Sequence, residues 1–131
     1  MKWGVRTIIT IYIFCLFNTL LINLFTIFVD IKKNHRKWKH QLEICANSVA
    51  SCIEAQKGGA YRVELCAGIP EGGTTPSFGD ISLARELLHI KLNVIIRPRG
   101  GDFLYSDLEH RIMLKDIEMA RKIGADGIVI G

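Results

Sequence analysis

The sequence contains little cysteine, and its four cysteines follow no zinc-finger spacing. They stand at positions 15, 45, 52 and 66. Cys15 lies inside a long apolar run, which leaves three thiols in the rest of the chain. An odd number of thiols argues against a disulfide framework. The pattern favours free thiols in a reducing compartment.

Charged side chains are absent from residues 7–29, where Ile, Leu, Phe, Thr and Val predominate. A run of this length can cross a hydrocarbon core of about 30 Å as a helix. No small-residue cleavage site follows it, which argues against a cleaved signal peptide. We therefore predict an apolar transmembrane helix at about 7–29, with the following residues in the cytosol. The alternative is that residues 1–41 are upstream sequence wrongly joined to a soluble protein.

The chain divides into two parts of opposite charge, a leader (residues 1–41) and a second region (residues 42–131). The leader contains seven basic residues and one acidic residue, a net charge of +6. The second region contains ten basic and twelve acidic residues, a net charge of −2. The basic excess therefore does not indicate a nucleic-acid-binding surface. A basic run beside an apolar segment is typical of contact with lipid headgroups.

The second region alternates between strand and helix patterns. Strands are predicted at 42–46, 62–67, 92–96 and 127–130, and helices at 49–57, 80–89 and 106–123. We expect Asp80 to cap the second helix, and Ser106 with Glu109 to form a capping box on the third. Alternation of this kind predicts parallel strands. Residues 55–65 and 120–130 align without gaps, and such a repeat favours a (β/α) barrel over an open doubly wound sheet.

Chemically active side chains collect near the ends of three predicted strands. Side chains alternate between the faces of a strand, and the pairs that share a face are Glu43 with Cys45, Glu64 with Cys66, and Arg97 with Arg99. Barrel functional groups lie at the carboxyl ends of strands. Soft thiolates select Cu(I) and other thiophilic metals, and nearby arginines favour the thiolate form. We therefore predict a metal site at Cys45 and Cys66; the alternative is that both thiols only pack.

The loop after the third predicted strand has a second interpretation. Two arginines beside paired glycines can hold an oxyanion or phosphate, which predicts an anion site formed by Arg97, Arg99, Gly100 and Gly101. A barrel enzyme acting on a small anionic or phosphorylated substrate would then use Glu43 or Glu64 as its acid/base. The alternatives are that the glycines only shape a turn and that the carboxylates only form salt bridges with the arginines.

Four segments of the second region resemble the signature segments of the CutC family. They are EIC at 43–45, RVELC at 62–66, EGGTTPS at 71–77 and IRPRGGDFLYS at 96–106. The resemblance covers residues 42–131 and implies a TIM (β/α)8 barrel, a cytoplasmic location and a role in copper homeostasis. In animal relatives two cysteines on the first two strands have been proposed as a Cu(I) site, and these positions fall on Cys45 and Cys66.

The chain departs from the family pattern in two respects. TIM barrels have eight strands and about 250 residues, whereas four strands and three helices are predicted here, which leaves open sheet edges. We therefore expect self-association, a partner that completes the barrel, or an inactive fragment. The leader is not a family feature. The expected partners are copper and a chain that completes the barrel, and no nucleic acid is expected. If residues 7–29 span a bilayer, we also expect membrane contact and a membrane-anchored cytosolic domain.

Overall fold

The computed structural model describes residues 8–12 and 41–131, whose strands form one parallel sheet. The strands, side by side in chain order, are β1 (Ile8–Tyr12), β2 (Gln41–Ala46), β3 (Arg62–Leu65), β4 (Lys91–Ile96) and β5 (Gly127–Ile130). The helices that alternate with β2 to β5 are α1 (Val49–Lys57), α2 (Phe78–Leu87) and α3 (Asp107–Ile123). The predicted α/β class with parallel strands is therefore confirmed.

The two faces of this sheet differ in chemistry. The face that packs against the helices is apolar, and its buried side chains are Leu42, Ile44, Ala46, Val63, Leu65, Leu92, Val94 and Ile96. Burying one Leu or Ile side chain contributes about 1.5–3 kcal/mol, so this layer supplies much of the stability. The opposite face, here called the inner face, contains Glu43, Cys45, Glu64, Cys66, Asn93, Ile95 and Arg97. Period-two alternation thus separates the core from the polar side chains.

The helix caps follow short-range sequence signals. The predicted capping box of α3 is present: the Ser106 hydroxyl accepts from the Glu109 N–H, and the Glu109 carboxylate accepts from the Ser106 N–H. For α2 the prediction of Asp80 as the cap was wrong. Ser77 is the N-cap, and its hydroxyl accepts from the Asp80 N–H at 3.1 Å. Asp80 belongs instead to the first turn, where its negative charge is favourable beside the free N–H groups.

The internal repeat seen in the sequence is also a repeat of structure. At the end of α1 the Ala60 N–H donates to the Ala55 carbonyl at 3.0 Å, and at the end of α3 the Ala125 N–H donates to the Ala120 carbonyl at 3.0 Å. The residue before each of these alanines is a glycine with a positive φ, a conformation that favours glycine. The same turn therefore leads into β3 and into β5.

Strand β1 differs from the sequence prediction. A helix was expected over 7–29, but Ile8–Tyr12 is a strand that pairs in parallel with β2. Its β-branched Ile and Thr residues favour strands, and the free edge of β2 offers backbone partners. The rest of 7–29 lies outside the described residues. Within 8–12 and 41–131 no helix is both long and apolar enough to cross a membrane.

Candidate functional site

Cys45 of β2 and Cys66, directly after β3, meet on the inner face. Their Sγ atoms are 3.4 Å apart, well beyond an S–S bond of about 2.05 Å, so the two are reduced thiols in contact. The backbone register pairs Cys45 with Glu64, and Cys66, two residues further along the chain, reaches Cys45 diagonally. Only 4% of Cys45 and 2% of Cys66 is exposed.

The two thiols differ in the hydrogen bonds that they form and in the direction of their pKa shifts. The Cys66 Sγ lies 3.5 Å from the Ala46 carbonyl oxygen, to which it donates. Because Cys66 has a single S–H, the Cys45 thiol is the donor between the two sulfurs. This bond lowers the pKa of Cys66, while burial and the charge of Glu64 act in the opposite direction. The same bond raises the pKa of Cys45, as do burial and Glu64.

The two glutamates of the inner face have different surroundings. Glu43 is buried and accepts hydrogen bonds from the Arg62 Nε and from the Asn93 Nδ2. Glu64 has no hydrogen-bond or ion-pair partner among the residues that the structure describes. Burial raises the pKa of Glu64, although Arg62 acts to lower it. Glu43 is thus half of an ion pair with Arg62 and not with Arg97 or Arg99, and an acid/base role for either glutamate stays a prediction.

Arg97 is a buried cation that binds loop carbonyls. Its Nη1 donates to the carbonyls of Glu71 at 2.8 Å and Gly73 at 3.2 Å, and its Nη2 donates to that of Gly101 at 2.8 Å. Within the described residues no carboxylate forms an ion pair with it, and its buried Nε has no acceptor. The guanidinium therefore joins the loops that follow β3 and β4.

Arg99 lies in the loop after β4 and is paired with carboxylates. Its Nε donates to Glu109 at 2.6 Å, and its Nη2 donates to Asp102 at 3.0 Å. These bonds raise the pKa of Arg99, with the Glu109 bond as the larger cause. The pKa of Glu109 falls to about 2, because it accepts from the Ser106 N–H as well as from Arg99. Arg99 is therefore a link between its loop and the first turn of α3.

The residues of the predicted anion site, Arg97, Arg99, Gly100 and Gly101, lie in or beside the loop after β4. Arg97 and Arg99 bind different partners, and a side chain added at Gly100 would collide with the Glu71 carboxylate. The charge of Glu64 acts to raise the pKa of both thiols. An anion site at Arg97, Arg99, Gly100 and Gly101 therefore stays a prediction.

Sequence reasoning missed Arg62 and Asn93, which hold Glu43 in place. A polar asparagine inside a buried strand was a usable signal. It also missed the contacts of the loop after β3, in which Ile69 packs against the cysteine pair. Nothing in the local sequence pattern indicates that contact.

The thiol pair offers two soft donors to a metal ion. Two metal–sulfur bonds of about 2.3 Å each can span up to about 4.6 Å, so sulfurs 3.4 Å apart can both bind one ion. In residues 8–12 and 41–131 no group of three or more His, Cys, Asp or Glu side chains is placed to hold a metal. Zinc sites usually take four ligands, whereas a pair of thiolates suits Cu(I).

Comparison with known proteins gives consistent matches to one family. A sequence model of the CutC family matches residues 40–131. A CutC family protein of Bacteroides thetaiotaomicron is 72% identical over 94 residues, which cover 71% of this chain and 38% of that protein. One from Chromobacterium violaceum is 62% identical over 90 residues, covering 69% of this chain and 36% of the relative. The chain thus spans less than two fifths of the length of these relatives.

A solved structure matches the fold as well. The crystal structure of CutC from Streptococcus agalactiae, a proposed copper homeostasis protein, superposes with a TM-score of 0.64 at 46% sequence identity. The match covers 68% of this chain and 44% of that one. The predicted TIM-barrel class is therefore confirmed, with β2 to β5 and α1 to α3 as four strands and three helices of the barrel.

Proposed function

The chain belongs to the CutC family, and on that basis we propose that it serves copper homeostasis by binding Cu(I) through the thiolates of Cys45 and Cys66. The observation that carries this proposal is the 3.4 Å contact between the two Sγ atoms. A single buried cysteine usually only packs, but here two from neighbouring strands are in direct contact. They also lie at the carboxyl ends of the strands, where TIM barrels place their functional groups.

Copper is the cargo of this site, and binding replaces the two S–H protons because a thiolate is the ligand form. Ile69, Ile95 and Val129 pack around the sulfurs and exclude water from the bound ion. Arg97 and Arg99, from which electrostatic support was expected, bind loop carbonyls and carboxylates.

A reducing, cytoplasmic environment is part of this proposal, because the site requires free thiols. We also propose that further barrel strands pair with the open edge of β5. Within the described residues β5 pairs on one side only, and 59% of Ile130 at its end is exposed. An unpaired parallel edge beside an exposed apolar residue favours association.

Metal selectivity tests the proposal. The reduced full chain, kept free of oxygen, is offered Cu(I) or Zn(II) in the presence of a competing chelator, then desalted and assayed for metal. We expect one Cu(I) per chain and no retained Zn(II), because two thiolates satisfy Cu(I) but supply only half of the usual zinc ligands. Retention of Zn(II) in place of Cu(I), or of neither metal, would contradict the proposal.

The alternative function is a barrel enzyme acting on a small anionic or phosphorylated substrate. The observation in its favour is Glu64, whose carboxylate has no partner within 8–12 and 41–131 and whose pKa is raised by burial. A perturbed carboxyl group of this kind is common in active sites. The ion pairs of Glu43 and Arg99 weigh against it, because both groups already have partners. Copper binding is therefore the better supported function.

A further inference from the structure

The cysteine pair lies under a short loop, residues 68–73, here called the covering loop. Two hydrogen bonds between Ala67 and Thr74, at 2.9 Å and 2.8 Å, close its base. Ile69 in the loop packs against the cluster formed by the two cysteines and Ile95. The two thiols beneath it are almost fully buried, while Glu64, on the same face two residues before Cys66, is only half-buried.

Glycine allows the covering loop to lie this close to the thiols. Gly73 has a φ of +91°, and a Cβ added there would lie 3.3 Å from the Ile95 Cδ1 and 3.6 Å from the Cys66 Cβ. Gly68 and Gly72 also have positive φ, a region in which glycine is favoured over other residues. The loop therefore contacts the site with its backbone and with one isoleucine.

One side chain holds the tip of the covering loop in place. Arg97 donates from Nη1 to the carbonyls of Glu71 and Gly73, and from Nη2 to Gly101 in the neighbouring loop. Thr75, just beyond the loop, is linked to the Arg97 backbone: its hydroxyl accepts from the Arg97 N–H at 2.9 Å, and its N–H donates to the Arg97 carbonyl at 2.9 Å. Hydrogen bonds from a charged donor are stronger than neutral ones. Removing the guanidinium would therefore free the tip but leave the base of the loop closed.

We propose that the covering loop is a lid over the thiol pair and that the Arg97 guanidinium is its latch. The role of this lid in copper traffic rests on the proposed function. Cu(I) passes between proteins by exchange of sulfur ligands, so an incoming sulfur must reach the bound ion. With 4% and 2% of the two cysteines exposed, the closed loop prevents this approach, and opening the loop admits a thiol ligand or a carrier.

Thiol reactivity without copper tests the lid directly. The full chain, wild type and Arg97→Met, is treated with N-ethylmaleimide, and the rate of alkylation at each cysteine is followed by peptide mass spectrometry. Methionine keeps an apolar stem but donates no hydrogen bond. We expect alkylation of Cys66 and Cys45 to be faster in the variant by about tenfold or more, because local opening sets the reactivity of a buried group.

Three controls separate a lid from general loosening of the fold. Arg99→Met removes the same charge from the loop after β4 without touching the covering loop, and should leave the rates unchanged. Cys52, on the core-facing side of α1, reports global unfolding, and its rate should stay at the wild-type value. Ile69→Ala, which loosens the lid without touching Arg97, should also speed alkylation of the pair. An unchanged rate at Cys66 in both Arg97→Met and Ile69→Ala, or an equal rise at Cys52, would overturn the lid.

The proposed lid and the proposed copper site can be contradicted independently of each other. A chain that binds no Cu(I) but shows faster alkylation in Arg97→Met has the lid without the proposed function. A chain that binds Cu(I) with equal alkylation rates in all variants has the function without the lid.

Discussion

Replacing Cys66 or Cys45 by serine is expected to weaken Cu(I) binding by more than about 100-fold. Even changes to groups that only support a metal ligand cost about 10–100-fold in affinity, and each substitution here removes one of two ligands. A hydroxyl is a hard donor and does not replace a soft thiolate. The measurement is a titration of the full chain with Cu(I) against a chromophoric competing chelator under reducing conditions.

Cys52→Ala is the matched control for both substitutions. Cys52 is fully buried, but it lies in the core cluster on the helix side of the sheet. Burial raises the pKa of this thiol to about 12, so it is inert. We expect the control to bind Cu(I) as the wild type does, although its smaller side chain lowers stability slightly. Equal Cu(I) affinity in the wild type and the three variants would contradict the assignment of Cys45 and Cys66 as ligands.

Replacing Glu43 by alanine is expected to lower the free energy of unfolding by about 3 kcal/mol. Glu43 is 6% exposed and pairs with Arg62, and removing one partner of a buried pair leaves the other charge uncompensated. Because 22% of the Arg62 side chain remains exposed, the effect should lie at the low end of the range for buried pairs. Urea denaturation followed by circular dichroism measures it.

Glu64→Ala is the matched control for the loss of stability expected in Glu43→Ala. Glu64 lies on the same inner face, but it has no partner within the described residues, and burial raises its pKa. We expect its removal to change the free energy of unfolding by less than about 0.5 kcal/mol, as for positions without special contacts. The double variant Glu43→Leu with Arg62→Met should recover most of the lost stability, since apolar replacements of a buried pair are often neutral. A larger loss in Glu64→Ala than in Glu43→Ala would contradict this assignment.

The elements of the fold could be predicted because their signals are local. The α3 capping box and the glycine turn at Gly124 need only a few neighbouring residues. The meeting of Cys45 and Cys66 could also be predicted, because alternation places each one on a known face and consecutive strands of a barrel are neighbours. Both inferences depend on spacing within one or two elements.

The partners of the charged side chains could not be predicted in the same way. Glu43 meets Arg62 because of the offset between β2 and β3, and no local pattern sets the offset of two parallel strands. Arg99 meets Glu109 because of the path of the loop between β4 and α3. Arg97 turns toward carbonyls of the loop after β3, whose path depends on glycine conformations. The sequence therefore indicated the strand or loop in which each charged side chain lies, but the partner of each could be identified only from the structure.

The most direct test of the central claim is copper K-edge X-ray absorption of the full chain loaded with one equivalent of Cu(I). We expect copper in the +1 state with two sulfur neighbours and no nitrogen or oxygen ligand, because the two thiolates of Cys45 and Cys66 are its donors. A spectrum with nitrogen or oxygen neighbours in place of the sulfurs would contradict it, and copper would then be bound elsewhere in the protein.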